Sequence, residues 1–173
     1  MRTLVGLLCA CSLLRGEPGA RAVYQSSHFA VWADRVTEGP FTAQALSPNE
    51  IQSNYPVDGK DAGNRRWKLQ TDVSRYPQFQ SSYPIVDAVY NLSLEELKKD
   101  IRPDRTFMAG AKWEGVWTRD ISYSILLALV AVEPEVAKAS LLRKVKNGRI
   151  IQDTGSGGSW PVSSDRLTWA LAA

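Results

Sequence analysis

Cysteine and histidine are nearly absent from this 173-residue sequence, and their scarcity excludes several kinds of site. The two cysteines, Cys9 and Cys11, both lie in an apolar run near the start, and His28 is the only histidine. We therefore expect neither a disulfide nor a thiolate metal site in the rest of the chain. A Ser-His-Asp triad or a histidine-rich metal site would have to be built around His28 alone. The sequence offers no sign of a cofactor.

A long apolar run is missing as well. The run from Leu4 to Leu14 is shorter than the ~20 residues that a membrane span needs, so we expect no transmembrane span. It follows a short basic start and precedes Ala20-Arg21-Ala22, the arrangement of a secretory signal peptide. We expect residues 1–22 to be removed, and the protein to be exported to the periplasm or the cell exterior. A lipid anchor at Cys11 is the alternative, because residues 8–11 loosely fit a lipobox.

Charge of one sign is not in excess either. The whole chain carries a formal net charge of +3. Residues 1–22 hold three arginines and one glutamate, so the remainder has 18 basic and 17 acidic side chains. No basic stripe remains, and we therefore expect no nucleic-acid partner.

Residues 23–80 show short β-like patterns and end in a linker. Clusters of turn-forming residues separate the strand candidates. A complete β-sandwich usually needs about seven strands over ~100 residues, so this region predicts only a small sheet that depends on its neighbour. The candidates lie at 28–32, 35–37, 41–46, 51–55 and 67–73.

Residues 81–173 show helical spacing. The segment Ile125 to Val132 is apolar on every side, which is typical of a helix surrounded by protein. The next helix, from Glu135, is amphipathic, so a buried helix is followed by a solvent-facing one. The last helix reaches Ala173 without a stop signal, and we therefore expect the chain to be truncated, an N-terminal fragment of a longer protein. The helices are predicted at 85–101, 120–132, 135–146 and 165–173.

The most informative segment is Gly115 to Ser124, at the start of the apolar helix. Trp117 offers a flat apolar face, Arg119 a fork of donors and Asp120 a pair of acceptor oxygens. A sugar needs all three, because a pyranose has an apolar face and a rim of hydroxyls. The alternative is a plain helix start, in which Asp120 caps the helix and Arg119 pairs with a surface acid.

The segment 116–125 resembles the Trp-x-Arg-Asp region of six-hairpin glycosidases, the glucoamylase and glycogen-debranching type. Segments 140–144, 148–155 and 160–169 are similar to exported bacterial members of that family, and 23–55 resembles their leading β-region. The resemblance covers roughly residues 76–173. It implies a mostly α fold, the start of an (α/α)6 barrel preceded by a small β-region. The implied domains are residues 23–80 and an incomplete helical domain at 81–173.

The resemblance also implies roles for particular residues. Arg119 and Asp120 would bind hydroxyls of the sugar at the non-reducing end, with Trp117 as a wall or stacking platform. Asp165 and Arg166, at another helix start, would form a second polar cluster facing the same mouth. The weaker candidates, on the intervening hairpin, are Trp160 and Asp153.

Glycosidases of this type are inverting and use two carboxyl groups ~6.5–9.5 Å apart. In the family both come from later hairpins, so no catalytic acid or base is assigned in this chain. The sequence favours a fragment of a glycoside hydrolase acting on α-linked glucan or a related oligosaccharide. A non-catalytic carbohydrate-binding protein is one alternative. A helical structural protein, in which Trp117 is a core residue, is the other.

Overall fold

In a computed structural model, which describes residues 21–57, 59–60, 63–153 and 163–173, the first third of the chain forms one antiparallel sheet. Its six strands follow each other in chain order, each paired with the next. The signal-peptide prediction falls, up to residue 20, outside the described residues. The strands are β1 (Tyr24–Gln25), β2 (Ala30–Val31), β3 (Arg35–Glu38), β4 (Phe41–Ser47), β5 (Glu50–Ser53) and β6 (Arg65–Lys68).

Tight local turns set the order of the strands. β3 and β4 are joined through Gly39, whose φ of 53° lies in the left-handed region that glycine adopts without strain. Asn54, which follows β5, holds the same end of the sheet. Its amide oxygen accepts the Thr42 N–H at 2.6 Å, and its amide nitrogen donates to the Pro40 carbonyl at 3.1 Å. These contacts hold β3, β4 and the end of β5 together.

Helices and one small hairpin make up most of the rest. β7 and β8 turn through Asn147 and Gly148, both with positive φ, as a two-residue hairpin turn requires. The second helix contains a π-helical stretch at Ile125–Leu129. The elements are α1 (Pro84–Lys99), α2 (Thr118–Ser124), the π stretch, α3 (Val130–Val132), α4 (Pro134–Arg143), β7 (Val145–Lys146), β8 (Arg149–Ile150) and α5 (Asp165–Ala172).

The apolar core is divided between the sheet and the helices. Ile85 and Ala88 of α1 pack against Ala45 and Ile51 of the sheet. A second cluster joins α2 and the π stretch to α4, and each fully buried large aliphatic side chain in it contributes about 1.5–3 kcal/mol of stability. The members of that cluster are Phe107, Ile121, Ile125, Leu129, Val136, Ala137 and Leu141.

Glu95 joins the sheet to α1 through a buried carboxylate, 1% exposed. One oxygen accepts the backbone N–H groups of Gln70 and Thr71 at 2.9 and 3.0 Å. The other accepts the Trp67 indole N–H at 2.7 Å and lies 3.2 Å from the Lys99 ammonium. Burial acts to raise the pKa of this carboxyl, but the hydrogen bonds outweigh it and lower the pKa to about 2.

The prediction of a mostly α chain that begins an (α/α)6 barrel is wrong. Among the described residues, the structure has a six-stranded antiparallel sheet and four helices, with 35% of those residues in helices and 23% in strands. The physical reason lies in α1, which would pair with another helix in such a barrel. Its buried residues Ile85 and Ala88 instead cover the sheet. The strand patterns in 23–73 therefore describe a main layer of the fold and not a small leading region.

The prediction that the helix at 125–132 is enclosed by protein is also wrong for this structure. Ile125 and Leu129 are buried, but Leu126, Leu127 and Val130 are 46%, 84% and 53% exposed. The described helices α4 and α5 cover one face of this helix and leave the other open. Among the described residues, no helix combines the length and apolarity needed to cross a membrane.

Glu95→Gln should lower the free energy of unfolding, and the effect should be larger at neutral pH than in acid. Because the folded-state pKa is lowered, the carboxylate stabilises the protein above its ordinary pKa of 4.5, and this contribution disappears as the pH falls toward about 2. The shift corresponds to at most about 3 kcal/mol. Urea unfolding at several pH values measures it. The variant should lose stability at neutral pH and show a flatter pH dependence in the acid range.

Glu96→Gln is the matched control, because Glu96 is half exposed on the same helix and, among the described residues, forms an ion pair with Lys99 alone, at 3.3 Å. Its unfolding curves should follow those of the wild type at every pH. Equal acid dependence in the Glu95→Gln variant and the wild type would contradict the account of Glu95.

Candidate functional site

The start of α2 and the loop before it form a groove of about 250 Å³. The groove brings together three residues singled out from the sequence and two that were not. Trp117 is the N-cap residue of α2, and Arg119 and Asp120 lie in its first turn. The loop adds Ala109 and Trp113. The predicted sugar-binding triplet therefore lines a single concave surface.

Two tryptophan rings form the apolar part of the groove. Their centroids are 6.1 Å apart and their planes meet at 82°, an edge-to-face arrangement that aromatic pairs favour. Trp113 is 64% exposed, whereas Trp117 is half-buried. A large ring left this open is an apolar surface available to a ligand.

Gly115 allows the Trp117 ring to take its position. A Cβ at residue 115 would lie 2.6 Å from the indole Nε1 of Trp117, closer than such atoms approach in proteins, and 3.0 Å from its Cδ1. The glycine backbone therefore lies directly under the ring. This contact explains why a glycine is needed between the two tryptophans.

The loop that carries Trp113 is tied back on itself. The Trp113 N–H donates to the Gly110 carbonyl at 2.8 Å, and the Ala109 N–H donates to the Gly115 carbonyl at 3.1 Å. The Arg102 guanidinium also donates to the Glu114 carbonyl. Trp113 is therefore presented by a closed loop with several internal hydrogen bonds.

Arg119 and Asp120 present their charges to solvent. Both are exposed, and within the described residues neither side chain forms an ion pair or a side-chain hydrogen bond. The alternative in which Asp120 caps the helix does not hold, because α2 begins at Thr118 and its N-cap residue, Trp117, makes no side-chain cap hydrogen bond. Donors and acceptors of both residues remain available to a ligand.

The predicted second polar cluster lies elsewhere. Asp165 is completely buried, and its carboxylate accepts the Asp153 N–H at 2.8 Å. Arg166 is exposed on α5 and is not among the residues that line the groove. Trp160 lies outside the described residues. The structure thus joins Asp165 to the site through Asp153 and not through the groove surface.

Sequence reasoning missed Trp113 and Gly115. The pattern Trp113-x-Gly115-x-Trp117 contained the information, because a glycine between two tryptophans lets one ring fold over the backbone. The sequence interpretation used the Trp-x-Arg-Asp motif and not this pattern. No cluster of three or more potential metal ligands is found among the described residues.

Comparison with protein-family models, curated proteins and solved structures gives no significant match. The resemblance to six-hairpin glycosidases therefore stays a prediction from the motifs. The assignment of function depends on the geometry of the groove.

Gly115→Ala should displace the Trp117 ring, because the added methyl group overlaps the indole. The backbone φ of Gly115 is not in the left-handed region, so the fold itself should tolerate alanine. Indole ¹H–¹⁵N NMR measures the result. We expect the Trp117 signal to move while that of Trp67, which is bonded to Glu95, stays in place. A Trp117 signal unchanged by the substitution would refute the close contact.

Proposed function

We propose that the groove lined by Trp113, Trp117, Arg119 and Asp120 binds carbohydrate, as part of a glycoside hydrolase acting on α-linked glucan or a related oligosaccharide. One observation carries the proposal. An exposed tryptophan ring and two charged side chains, which have no side-chain partner among the described residues, line the same groove. The ring matches the apolar face of a sugar, and the charged side chains match its rim of hydroxyls.

The chemistry of a pyranose fits the groove in detail. Its C–H face can lie on the exposed Trp113 ring, and burying that apolar area yields roughly 25 cal/mol for each Å² removed from water. The Arg119 guanidinium has five donors and the Asp120 carboxylate has two acceptor oxygens, and adjacent hydroxyls can satisfy both at once. Hydrogen bonds to charged groups contribute about 1.5–3 kcal/mol each.

The position of Asp120 supports a binding role and not a catalytic one. An inverting hydrolase needs two carboxyl groups ~6.5–9.5 Å apart, on opposite sides of the scissile bond. Asp120 supplies the one carboxylate among the described residues that line the groove. We therefore assign the groove to sugar recognition and assign no catalytic acid or base.

The same observation favours a second candidate, a carbohydrate-binding protein without hydrolytic activity. Recognition by Trp113 and Asp120 needs no second carboxylate. The two functions differ in one measurable property, because only the hydrolase turns over its sugar.

Trp113→Ala should lower the affinity for maltotriose by on the order of tenfold, because one stacking surface is lost. Isothermal titration calorimetry measures the affinity of each variant. Phe79→Ala is the matched control, since Phe79 is 47% exposed but packs against Tyr90, away from the groove. Equal affinities of the Trp113→Ala variant and the wild type would exclude Trp113 as a sugar platform.

Asp120→Asn separates the three functional alternatives. A hydrolase should lose most of its turnover of maltotriose, a binder should lose affinity alone, and a structural role would appear as a loss of stability. Because Asp120 makes no cap hydrogen bond, we expect the stability to change by less than about 1 kcal/mol, the size of a helix-dipole effect. Turnover by NMR, calorimetric affinity and thermal unfolding are measured in parallel. A large loss of stability with unchanged affinity would refute a role of Asp120 in sugar binding.

A further inference from the structure

Two hydrogen bonds from distant residues hold the backbone on either side of Trp117. The Lys144 ammonium donates to the Val116 carbonyl at 2.7 Å. The Thr118 N–H donates to the Asp153 carboxylate at 2.6 Å. Both partners come from the chain after α4, 28 and 35 residues along the sequence from the groups they hold.

Asp153 replaces a cap that α2 lacks. The first N–H groups of a helix have no partner within it, and a side chain at the N-cap position usually accepts one. Trp117 occupies that position and cannot accept such a bond. One Asp153 oxygen, Oδ2, accepts the Thr118 N–H and also lies 2.6 Å from the Thr118 hydroxyl. The tryptophan is therefore free to face the groove because a remote carboxylate performs the capping.

Lys144 and Asp153 depend on each other. The Lys144 side chain is only 9% exposed, and its Nζ lies 2.8 Å from Asp153 Oδ1. A buried ammonium without partners is strongly unfavourable, so the pair is maintained only with both charges present. The backbone N–H of Asp153 is bound in turn by the buried Asp165 carboxylate at 2.8 Å. This chain of contacts anchors the capping carboxylate to α5.

We infer that Asp153 and Lys144 are positioning residues for the saccharide site. They fix the backbone at residues 116–118, and thereby the direction of the Trp117 ring and of the first turn of α2. This inference rests on the proposed function, since positioning has meaning only for a groove that binds a ligand. Neither residue touches the sugar. They act because recognition groups must be held within about 0.5 Å of their working geometry.

Asp153→Asn and Lys144→Met test the inference with little change of shape. Asparagine keeps an acceptor for Thr118 but loses the charge facing Lys144, and methionine keeps an apolar stem but loses the ammonium. Each variant should lower the affinity for maltotriose by on the order of tenfold, and the double variant by little more, because the pair acts as a unit. Thr118→Val, which replaces the hydroxyl by a methyl group and keeps the backbone N–H, is a milder third variant in case the others fail to fold.

The matched control is Glu133→Gln. Glu133 is a buried carboxylate, 5% exposed, which accepts a hydrogen bond from the Tyr76 hydroxyl at 2.7 Å and pairs with Arg75, away from the groove. All affinities are measured at a temperature at which every variant is folded. Positioning is supported if all variants lose stability but the affinity for maltotriose falls only in the Asp153, Lys144 or Thr118 variants. Loss of stability with unchanged affinity in those variants would overturn it.

A second readout separates this inference from the proposed function. The protein is labelled with 5-fluorotryptophan, and its ¹⁹F NMR spectrum is recorded. The Trp117 signal is assigned as the one that is missing from the spectrum of the Trp117→Phe variant. Positioning predicts that Asp153→Asn and Lys144→Met shift or broaden the Trp117 signal, whereas Glu133→Gln leaves it unchanged. If the wild type binds no maltotriose, the proposed function fails, and this signal still decides whether the pair holds Trp117. An unchanged Trp117 signal in both variants would overturn the inference.

Discussion

The hydrogen bond from the Thr118 N–H to the Asp153 carboxylate is the contact on which the candidate site depends. It fixes where α2 begins, and the residues on both sides of that point line the groove. The same carboxylate binds the Lys144 ammonium, so the end of α4 is joined to the start of α2. Through its backbone N–H it also binds Asp165 of α5. Three helices thus meet at one acidic residue.

Buried and exposed charges have different roles in this protein. Glu95 is buried and Asp153 is partly buried, and each has hydrogen-bond partners for both carboxylate oxygens, which is the condition under which burial is tolerated. The exposed Arg119 and Asp120 make no side-chain contact of this kind within the described residues. Water satisfies them at little cost, and a ligand with hydroxyl groups can replace that water. The groove is therefore one surface at which polar side chains remain available to a ligand.

The sequence indicated the elements better than their assembly. Local patterns predicted strands near β3, β4 and β5 and helices close to α1 and α5, because alternation and turn residues are local properties. The fold class was wrong, since nothing local shows that Ile85 and Ala88 cover a sheet and not another helix. The apolar run 125–132 was likewise judged by composition alone, and composition does not show which face the neighbouring helices cover.

The candidate site was predictable in part. Trp117, Arg119 and Asp120 were identified because their chemistry is adjacent in sequence. Trp113 could have been identified in the same way, from the Trp113-x-Gly115-x-Trp117 pattern. The contact of Asp153 with Thr118 was not, because it joins residues 35 positions apart. Asp165 was predicted to bind sugar because it lies at a helix start. In the structure it is buried, and its carboxylate accepts the backbone N–H of Asp153.

The most direct test of carbohydrate recognition is an NMR titration of the ¹⁵N-labelled protein with maltotriose, followed at the tryptophan indole signals. The Trp67 and Trp169 indoles are internal references, because their N–H groups donate to Glu95 and to the Leu141 carbonyl inside the protein. The account predicts saturable shifts of the Trp113 and Trp117 signals while both references stay in place. No shift at Trp113 and Trp117 at saturating sugar, or equal drift of all four signals, would contradict it.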